Sequence, residues 1–464
     1  MVEVGIAAHP WRRLGPWRTA FEKEKHASAA RTEAWITGWS WLLLLLTMLY
    51  VMIGNTPYEH EPVFDPRTGG PVMSPVNRYI WLALAAMAIP VLWARRGELL
   101  QALQAFWPLA LLFAWFACTS LWALDRDASN RRLFLYAVDA VICLAVAMGL
   151  KDARRMHGAL ATACAIVIGI DLASWIIAPK LSQTEIGLAA IHSHKNTLGA
   201  VMLLCGLIIW PYVAAQRTWG GRAFWIGTGV GGFALLVASL SKTSLAILVV
   251  TGLAAPFLLR VVKSRGEVLS GLLLAGLALA AGGFLAWLAF SFATGADPLG
   301  PIRKLTFTQR TDVWTFALEQ FSHHPWRGLG FGSFWDVDPR VQPSLKTDYW
   351  FAQPDAPTNE SHNGYIDLLV TTGITGLIMA LIVLFRWMGR GLWLVREAMR
   401  TPTGEARRAL PYLTYLALFP LVFFAHNWME STYFNANSLF GLISLLVGFD
   451  IDMRFAALRW PSAS

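Results

Sequence analysis

The sequence is poor in charged residues and in cysteine, and each shortage excludes a class of protein. Charged side chains make up 14% of the 464 residues, whereas soluble proteins average about 25%. The four cysteines, Cys118, Cys143, Cys164 and Cys205, all lie in apolar stretches without a CxxC pair. We interpret them as small core residues, which argues against a disulfide scaffold and against a cysteine-ligated zinc site.

Long apolar runs take the place of the missing charge. Hydrophobic residues make up 56% of the chain, and many of the runs have the roughly 17–25 residues that a helix needs to cross a bilayer. The sequence therefore predicts an all-α polytopic membrane protein of about twelve transmembrane helices. The predicted spans are 36–53, 78–94, 105–122, 133–150, 157–178, 194–214, 222–239, 243–260, 268–294, 364–385, 409–427 and 436–452.

The basic residues predict how these spans are oriented. Twelve spans leave both termini on one side, and that side carries 24 of the 38 Lys and Arg residues, whereas the other carries 14. The positive-inside rule then predicts that both termini are cytoplasmic. Because the net charge of +9 is spread over short loops between spans, we do not expect a nucleic-acid partner.

The spans divide the chain into five parts. The largest extramembrane part is predicted between the ninth and tenth helices, and its stretch TDVWTFALEQF has helical spacing of apolar residues. The predicted parts are a cytoplasmic tail (1–35), helices one to nine (36–294), an outward-facing loop domain (295–363), helices ten to twelve (364–452) and a cytoplasmic tail (453–464).

Unusual polar residues collect on the predicted outer side. They are IHSHKNTLG (191–199), SLSKTS (239–244), Arg310, His362 at the start of the tenth span, and HNWMESTYFNANS (426–438). Ionisable groups near the membrane are costly and commonly line a cavity or a site. Because chance would divide them between the two sides, the grouping predicts a functional site.

Each of these residues also has a simpler explanation. Lys242 can snorkel to the membrane interface, and Arg310 can flank an amphipathic surface helix. His362 lies among residues that suit a helix start and can serve as a cap. Glu430 can pair with a nearby cation.

Two motifs typical of metal sites and one typical of nucleotide sites are present, but each is weak evidence for such a site. His192 and His194 have no Cys or carboxylate at metal spacing beside them. The DVD motif (336–338) is a lone carboxylate pair, as in some sugar-nucleotide sites. GLGFG (328–332) follows no predicted strand, so we interpret its glycines as turn residues.

Together the outer residues fit one reaction. A lysine and an arginine can bind a pyrophosphate and stabilise it as a leaving group. A histidine can accept a proton from an attacking hydroxyl or orient that hydroxyl. These parts predict transfer of a glycosyl group from a lipid pyrophosphate, with no cofactor and no metal where fixed cations replace it.

Five motifs in order resemble the O-antigen ligase and polymerase superfamily, and most closely its exopolysaccharide-polymerase, ExoQ-like branch. They are SHKNTLGAVM, SLSKTS, QRTDVWTFALEQFSHHPWRGLGFGSFW, SHNGYIDLLVTTGITGL and ESTYFNANSLFGL. The resemblance covers about 190–450. It implies a GT-C-like glycosyltransferase of the bacterial inner membrane, which moves glycan from undecaprenyl pyrophosphate to a sugar hydroxyl at the periplasmic face with inversion.

The resemblance also assigns residues. Arg310 matches a loop arginine thought to bind pyrophosphate, and His362 matches a base or acceptor-orienting histidine. Lys242 stands where many relatives have arginine, which keeps the charge but loses the bidentate fork. Further candidates that support this site are His194, Lys195, Asn196, Asn363 and Glu430.

We therefore predict a polysaccharide polymerase of exopolysaccharide or O-antigen biosynthesis. Its partners would be a lipid-linked oligosaccharide donor, a glycan acceptor, membrane lipids and other polysaccharide-assembly proteins. The alternatives in the same superfamily are an O-antigen ligase acting on lipid A-core and a protein O-oligosaccharyltransferase. A polysaccharide or lipid transporter is a different class; Asp139 and Asp171 would be its mid-membrane groups. A non-catalytic scaffold is a third.

Overall fold

Helices form almost all of the regular structure that the computed structural model describes, which covers residues 15–54, 56–60, 75–294, 310–352, 358–401, 403–435 and 438–459. The helices are α1 (Gly15–Ile53), α2 (Pro75–Ala94), α3 (Leu99–Ala105), α4 (Trp107–Thr119), α5 (Arg126–Gly149), α6 (Ala153–Ile177), α7 (Pro179–Ser182), α8 (Lys195–Ala215), α9 (Trp219–Ala238), α10 (Lys242–Thr294), α11 (Arg310–His323), α12 (Gly364–Arg400), α13 (Gly404–His426) and α14 (Leu439–Arg459). Strands β1 (Gln183–Thr184) and β2 (Gly187–Leu188) form a short antiparallel ribbon.

Nine helices within the described residues are long and apolar enough to cross a membrane, and ten if a pair bent by 83° over Arg96–Ala105 and Trp107–Trp122 counts as one span. The prediction of an all-α polytopic membrane protein is confirmed. The predicted spans 243–260 and 268–294 both fall within α10. The last predicted span, 436–452, overlaps α14 from Leu439 onward; α14 carries Asp450, Asp452 and Arg454 and is not among the nine.

Two predicted extramembrane parts contain helix. α1 begins at Gly15, so helical structure extends into the predicted N-terminal tail. The loop helix predicted at TDVWTFALEQF is confirmed as α11. Its residues Val313, Trp314 and Phe321 are buried. The part of the predicted loop domain at 295–309 lies outside the described residues.

The helices differ in how far they are enclosed by protein. In the most apolar 18-residue stretch of α13, 67% of the residues are buried inside the protein, and in that of α12 the share is 61%. The corresponding share is 22% in α9 and 11% in the Lys242–Lys263 part of α10. Because apolar side chains exposed within a membrane span face lipid, α12 and α13 form the centre of the bundle, whereas α9 and α10 form its lipid-facing edge.

α12 is broken at Gly373, where the backbone adopts a φ of 71°. The break frees main-chain groups that a membrane interior would leave unsatisfied, and loop residues satisfy them. The N–H of Leu329 donates to the carbonyl of Val370 at 2.9 Å, that of Gly330 to Thr371 at 2.8 Å, and that of Ile374 to Pro325 at 2.8 Å. The loop that follows α11 is thus joined to the middle of α12.

The glycine at this break has a steric role as well. A Cβ added to Gly373 would lie 2.4 Å from the carbonyl carbon of Trp326, which is closer than real side chains approach. Glycine is the residue that accepts both this φ and this approach. The close contact lets the loop backbone lie directly against the helix.

Candidate functional site

His362 lies in a tight turn immediately before α12. Its φ is 52°, in the left-handed region that residues with a Cβ rarely adopt. Asn363 caps the helix, because its Oδ1 accepts hydrogen bonds from the N–H groups of Tyr365 at 3.1 Å and Ile366 at 3.3 Å. The cap that the sequence suggested for His362 is therefore supplied by its neighbour, and the imidazole has other partners.

Three different segments hold the turn that carries His362. The indole N–H of Trp314 in α11 donates to the Ser361 carbonyl at 2.8 Å. The Ser361 N–H donates to the carboxylate of Asp367 in α12 at 3.2 Å. The Asn363 N–H donates to the hydroxyl of Ser431 at 3.0 Å. A strained conformation persists where its surroundings determine it this fully, and such residues cluster at functional sites.

The imidazole of His362 lies between two carboxylates. Its Nδ1–H donates to Glu360 Oε1 at 2.7 Å and to Glu430 Oε2 at 3.4 Å. Burial lowers the pKa of His362, but the hydrogen bonds to Glu360 and Glu430 outweigh burial and raise that pKa to about 9. Burial raises the pKa of Glu430, and its bond to His362 outweighs this and lowers it below the ordinary value. At neutral pH the site therefore holds an imidazolium with its Nε2–H available to a ligand.

Arg310 lies beside this group at the first described residue of α11. Its guanidinium Nη1 donates to the Met429 carbonyl at 2.7 Å, in the turn that carries Glu430. The charge of Arg310 also acts on both His362 and Glu430. The structure thus brings Arg310, His362 and Glu430 together, although they are far apart in the sequence.

His194, Lys195 and Asn196 begin α8 close to the same site. The Nδ1 of His194 caps α8 by accepting the Asn196 N–H at 3.2 Å. Burial lowers the pKa of His194, as does Lys195, and the charges of Glu430 and His362 act on it as well. Lys195 Nζ donates to the carbonyl of Ile186 at 3.1 Å. The start of α8 therefore lies near the site. Among its three predicted supporting residues, His194 has a pKa that is affected by Glu430 and His362.

Lys242 is exposed at the first residue of α10. The start of α10 packs closely on the start of α8, since a Cβ added to Gly199 would lie 2.4 Å from Ser241 Cβ. Lys242 and Lys195 thus stand at neighbouring helix starts. Within the described part of the chain, no hydrogen bond or ion pair connects Lys242 to Arg310, His362 or Glu430.

One set of groups within the described residues has a geometry compatible with a metal ion. Donor atoms of Glu360, His362 and Glu430 all lie within 4.8 Å of one another. The residue types suit a divalent ion, and this grouping was not among the metal patterns considered from the sequence. The Nδ1–H of His362 already satisfies both carboxylates in the structure, so their proximity does not require an ion.

The residues of the weaker metal and nucleotide motifs have structural roles. His192 Nε2 lies 3.0 Å from Asp171 Oδ2 in a buried pair, so His192 and His194 do not converge. Asp338 in the DVD motif pairs with Arg340 at 2.5 Å. The three glycines of GLGFG all have positive φ, which confirms their interpretation as turn residues. Asp171, a candidate transporter group, is the partner of His192.

Glu360 and Asp367 were not predicted as site residues, and Ser361 and Ser431 were noted only as part of the helix start and of the stretch 426–438. Glu360 lies two residues before His362, so its presence in NESHNGY was a usable signal. The roles of Asp367 and Ser431 depend on how α12 and the 427–435 segment pack, which no local pattern reveals.

These features define a class: a polytopic helical membrane protein with a charged, hydrogen-bonded site at one end of the bundle. Residues 227–381 match the family model described as O-Antigen ligase (Wzy_C). That range contains Lys242, Arg310 and His362.

A curated relative extends the match. Exopolysaccharide production protein ExoQ of Rhizobium meliloti (strain 1021) is 26% identical over 278 residues, which cover 59% of this chain and 62% of that protein. The match thus spans less than two thirds of the relative's length. The two comparisons confirm the resemblance to the O-antigen ligase and polymerase superfamily and its ExoQ-like branch.

Proposed function

We propose that this protein is a membrane glycosyltransferase that polymerises an exopolysaccharide or O-antigen from lipid-linked repeat units. The observation that carries the proposal is the convergence of Arg310, His362 and Glu430 at one end of the bundle. A cation for phosphate and a proton-bearing imidazole paired with carboxylates are the groups that this transfer needs. The O-antigen ligase match and the similarity to ExoQ support the same chemistry.

The location follows from the charge distribution. The excess of Lys and Arg on the side of the termini supports cytoplasmic termini and a site on the opposite face, and the resemblance to the O-antigen ligase and polymerase superfamily supports the bacterial inner membrane, with the site periplasmic. At that face, an undecaprenyl pyrophosphate would lie with its polyprenyl chain in the membrane and its glycan in water. The exposed apolar edge formed by α9 and α10 offers a surface for the polyprenyl chain.

The donor pyrophosphate is bound by Arg310 and Lys242 in this proposal, with Lys195 as a third cation. The two lysines stand at the starts of α10 and α8, where helix dipoles also favour anions. The acceptor hydroxyl oxygen attacks the anomeric carbon, a new glycosidic C–O bond forms, and the C–O bond to the pyrophosphate breaks. The configuration inverts, and undecaprenyl pyrophosphate leaves with its charge stabilised by these cations.

His362 orients the acceptor and stabilises developing negative charge. The raised pKa of about 9 supports this role, because a protonated imidazole cannot accept the hydroxyl proton at neutral pH. The hydroxyl proton passes instead to one carboxylate, that of Glu360, which contacts the imidazole Nδ1 at 2.7 Å. We expect no metal to take part, since the side-chain charges of Arg310, Lys242 and Lys195 neutralise the phosphates.

An O-antigen ligase is the second candidate, and the description of the matching family favours it. A ligase would use the same donor chemistry and transfer the finished glycan to lipid A-core. A protein O-oligosaccharyltransferase would use a hydroxyl of a protein. Deleting the gene distinguishes these functions, because loss of free exopolysaccharide indicates a polymerase and loss of the lipopolysaccharide ladder indicates a ligase.

The direct test uses purified protein in nanodiscs with lipid-linked oligosaccharide, and polymer length is followed by gel electrophoresis. We expect chain growth by the wild type, with and without EDTA. Equal rates for wild type and His362→Ala would rule out the catalytic role. Loss of activity in EDTA that returns with added Mg²⁺ or Mn²⁺ would remove the metal-free mechanism. A transporter or scaffold would form no polymer.

A further inference from the structure

A cavity of about 940 Å³ lies next to the site, at the same end of the bundle. Its walls come from the start of α5, the 331–340 loop, the first two turns of α12 and the 431–435 segment. Pockets for organic ligands have volumes of about 300–1,000 Å³, so this one has room for a short oligosaccharide. Glu360 forms part of its wall and also contacts His362 Nδ1 at 2.7 Å, which connects the cavity to the site.

The cavity wall is firmly built. Arg132 of α5 donates to the carbonyls of Gly332 at 2.6 Å, Trp335 at 2.9 Å and Asp336 at 2.7 Å. Asp125 Oδ2 accepts the N–H of Asp338 at 3.1 Å. A loop held by several charged hydrogen bonds keeps its shape in the absence of a ligand, which lowers the entropic cost of binding.

The groups left on the wall suit a ligand rich in hydroxyls. Arg132 and Arg340 are paired with aspartates. Arg131 is exposed on the wall, and no ion pair neutralises it within the described ranges. Exposed Asn359 and Asn435 add amide donors and acceptors. Sugar hydroxyls both donate and accept hydrogen bonds, so these side chains match a glycan better than they match an acyl chain.

The cavity lies apart from the cations assigned to the donor. No described residue of α6, α8, α9 or α10 lines it, so Lys242 and Lys195 lie outside its wall. The site therefore has a cationic side beside the lipid-facing helices and a polar cavity beside α5, with His362 and its carboxylates between them.

We propose that this cavity binds the acceptor glycan and presents its terminal hydroxyl to His362; this inference rests on the proposed function. The donor approaches from the α8–α10 side and the acceptor from the α5 side. Arg131, remote from the reacting groups, determines how tightly the acceptor binds.

Arg131 and Arg126 provide a matched pair for the test. Both are exposed arginines of α5, and of the two, Arg131 alone lines the cavity. The probe is a fluorescently labelled oligosaccharide of two repeat units from the source strain's own polysaccharide. Its equilibrium binding to protein in nanodiscs is measured by fluorescence anisotropy, and its KM as acceptor is measured at saturating lipid-linked donor.

We expect Arg131→Ala to weaken binding and raise the acceptor KM by about five- to tenfold, which corresponds to loss of one solvent-exposed hydrogen bond. The donor KM and kcat should stay within about twofold, and Arg126→Ala should match the wild type. Arg131→Glu should weaken binding further.

The outcomes separate the two proposals. Unchanged oligosaccharide binding in Arg131→Glu, or a change confined to the donor KM, would overturn the acceptor cavity. Binding that depends on Arg131 without any turnover by the wild type would support the cavity as a glycan site and count against the proposed transferase function. Equal losses in Arg126→Ala and Arg131→Ala would attribute the effect to surface charge and overturn the assignment.

Discussion

The two charged parts of the site differ in how they are held. His362 is fixed by hydrogen bonds to its turn from α11, α12 and the 431–435 segment, and its imidazole contacts two carboxylates. Lys242 is exposed at the edge of the bundle, on a helix that mostly faces lipid. Groups that act on reacting atoms need defined positions, whereas a lysine that attracts a mobile anion acts as a flexible point charge. The difference predicts unequal effects of mutation.

The largest effect is expected at His362. His362→Ala should lower kcat by about 10²–10³-fold, because it removes the group that orients the acceptor and stabilises charge. Polymer formation in nanodiscs measures it. His323→Ala, an exposed histidine at the end of α11, is the control and should behave as the wild type. A similar loss in both variants would contradict the special position of His362.

The second-largest effect of mutation is expected at Arg310. Arg310→Ala is expected to lower kcat/KM by about 100-fold, since it removes a cation from the leaving pyrophosphate, and Arg310→Lys should recover part of that loss. Because Arg310 also binds the Met429 carbonyl, a merely structural role would lower the thermal unfolding temperature of both variants alike. Equal activities of the alanine and lysine variants would argue against a charge effect.

The pH dependence sharpens the comparison further. His362 is protonated below its pKa of about 9, so an orienting imidazolium predicts that kcat falls as the pH rises through about 9. Glu430→Gln removes one of the groups that raise this pKa and should move the fall to lower pH. A kcat that instead increases up to pH 9 would identify His362 as the base.

The smallest effect is expected at Lys242. Lys242→Ala should raise the donor KM by about tenfold with little change in kcat, and Lys242→Arg should keep the wild-type value because the charge remains. Lys180→Ala tests another exposed lysine, in α7, and should change neither. A fall in kcat as large as that of His362→Ala would remove the distinction between the fixed and the flexible part.

Much of the architecture could be predicted because it depends on local composition. Apolar runs reveal membrane helices, and the spacing of Val313, Trp314 and Phe321 reveals α11. Arg310, His362 and Glu430 could be singled out because polar residues beside apolar runs are conspicuous. The contact of Glu430 with His362, the break at Gly373 and the cavity beside α5 arise from tertiary packing between distant segments. Periodicity carries no information about such contacts.

The break in α12 has a consequence for biogenesis. The carbonyls of Val370 and Thr371 receive their donors from the 325–330 loop, which is synthesised before α12. The membrane helix cannot reach its final form until that loop packs against it. Because Trp314 and Asp367 also hold the His362 turn only when α11 packs against α12, we expect newly inserted chains to pass through an inserted but inactive stage. Maturation of the protein would then include a docking step of this loop onto the inserted helix.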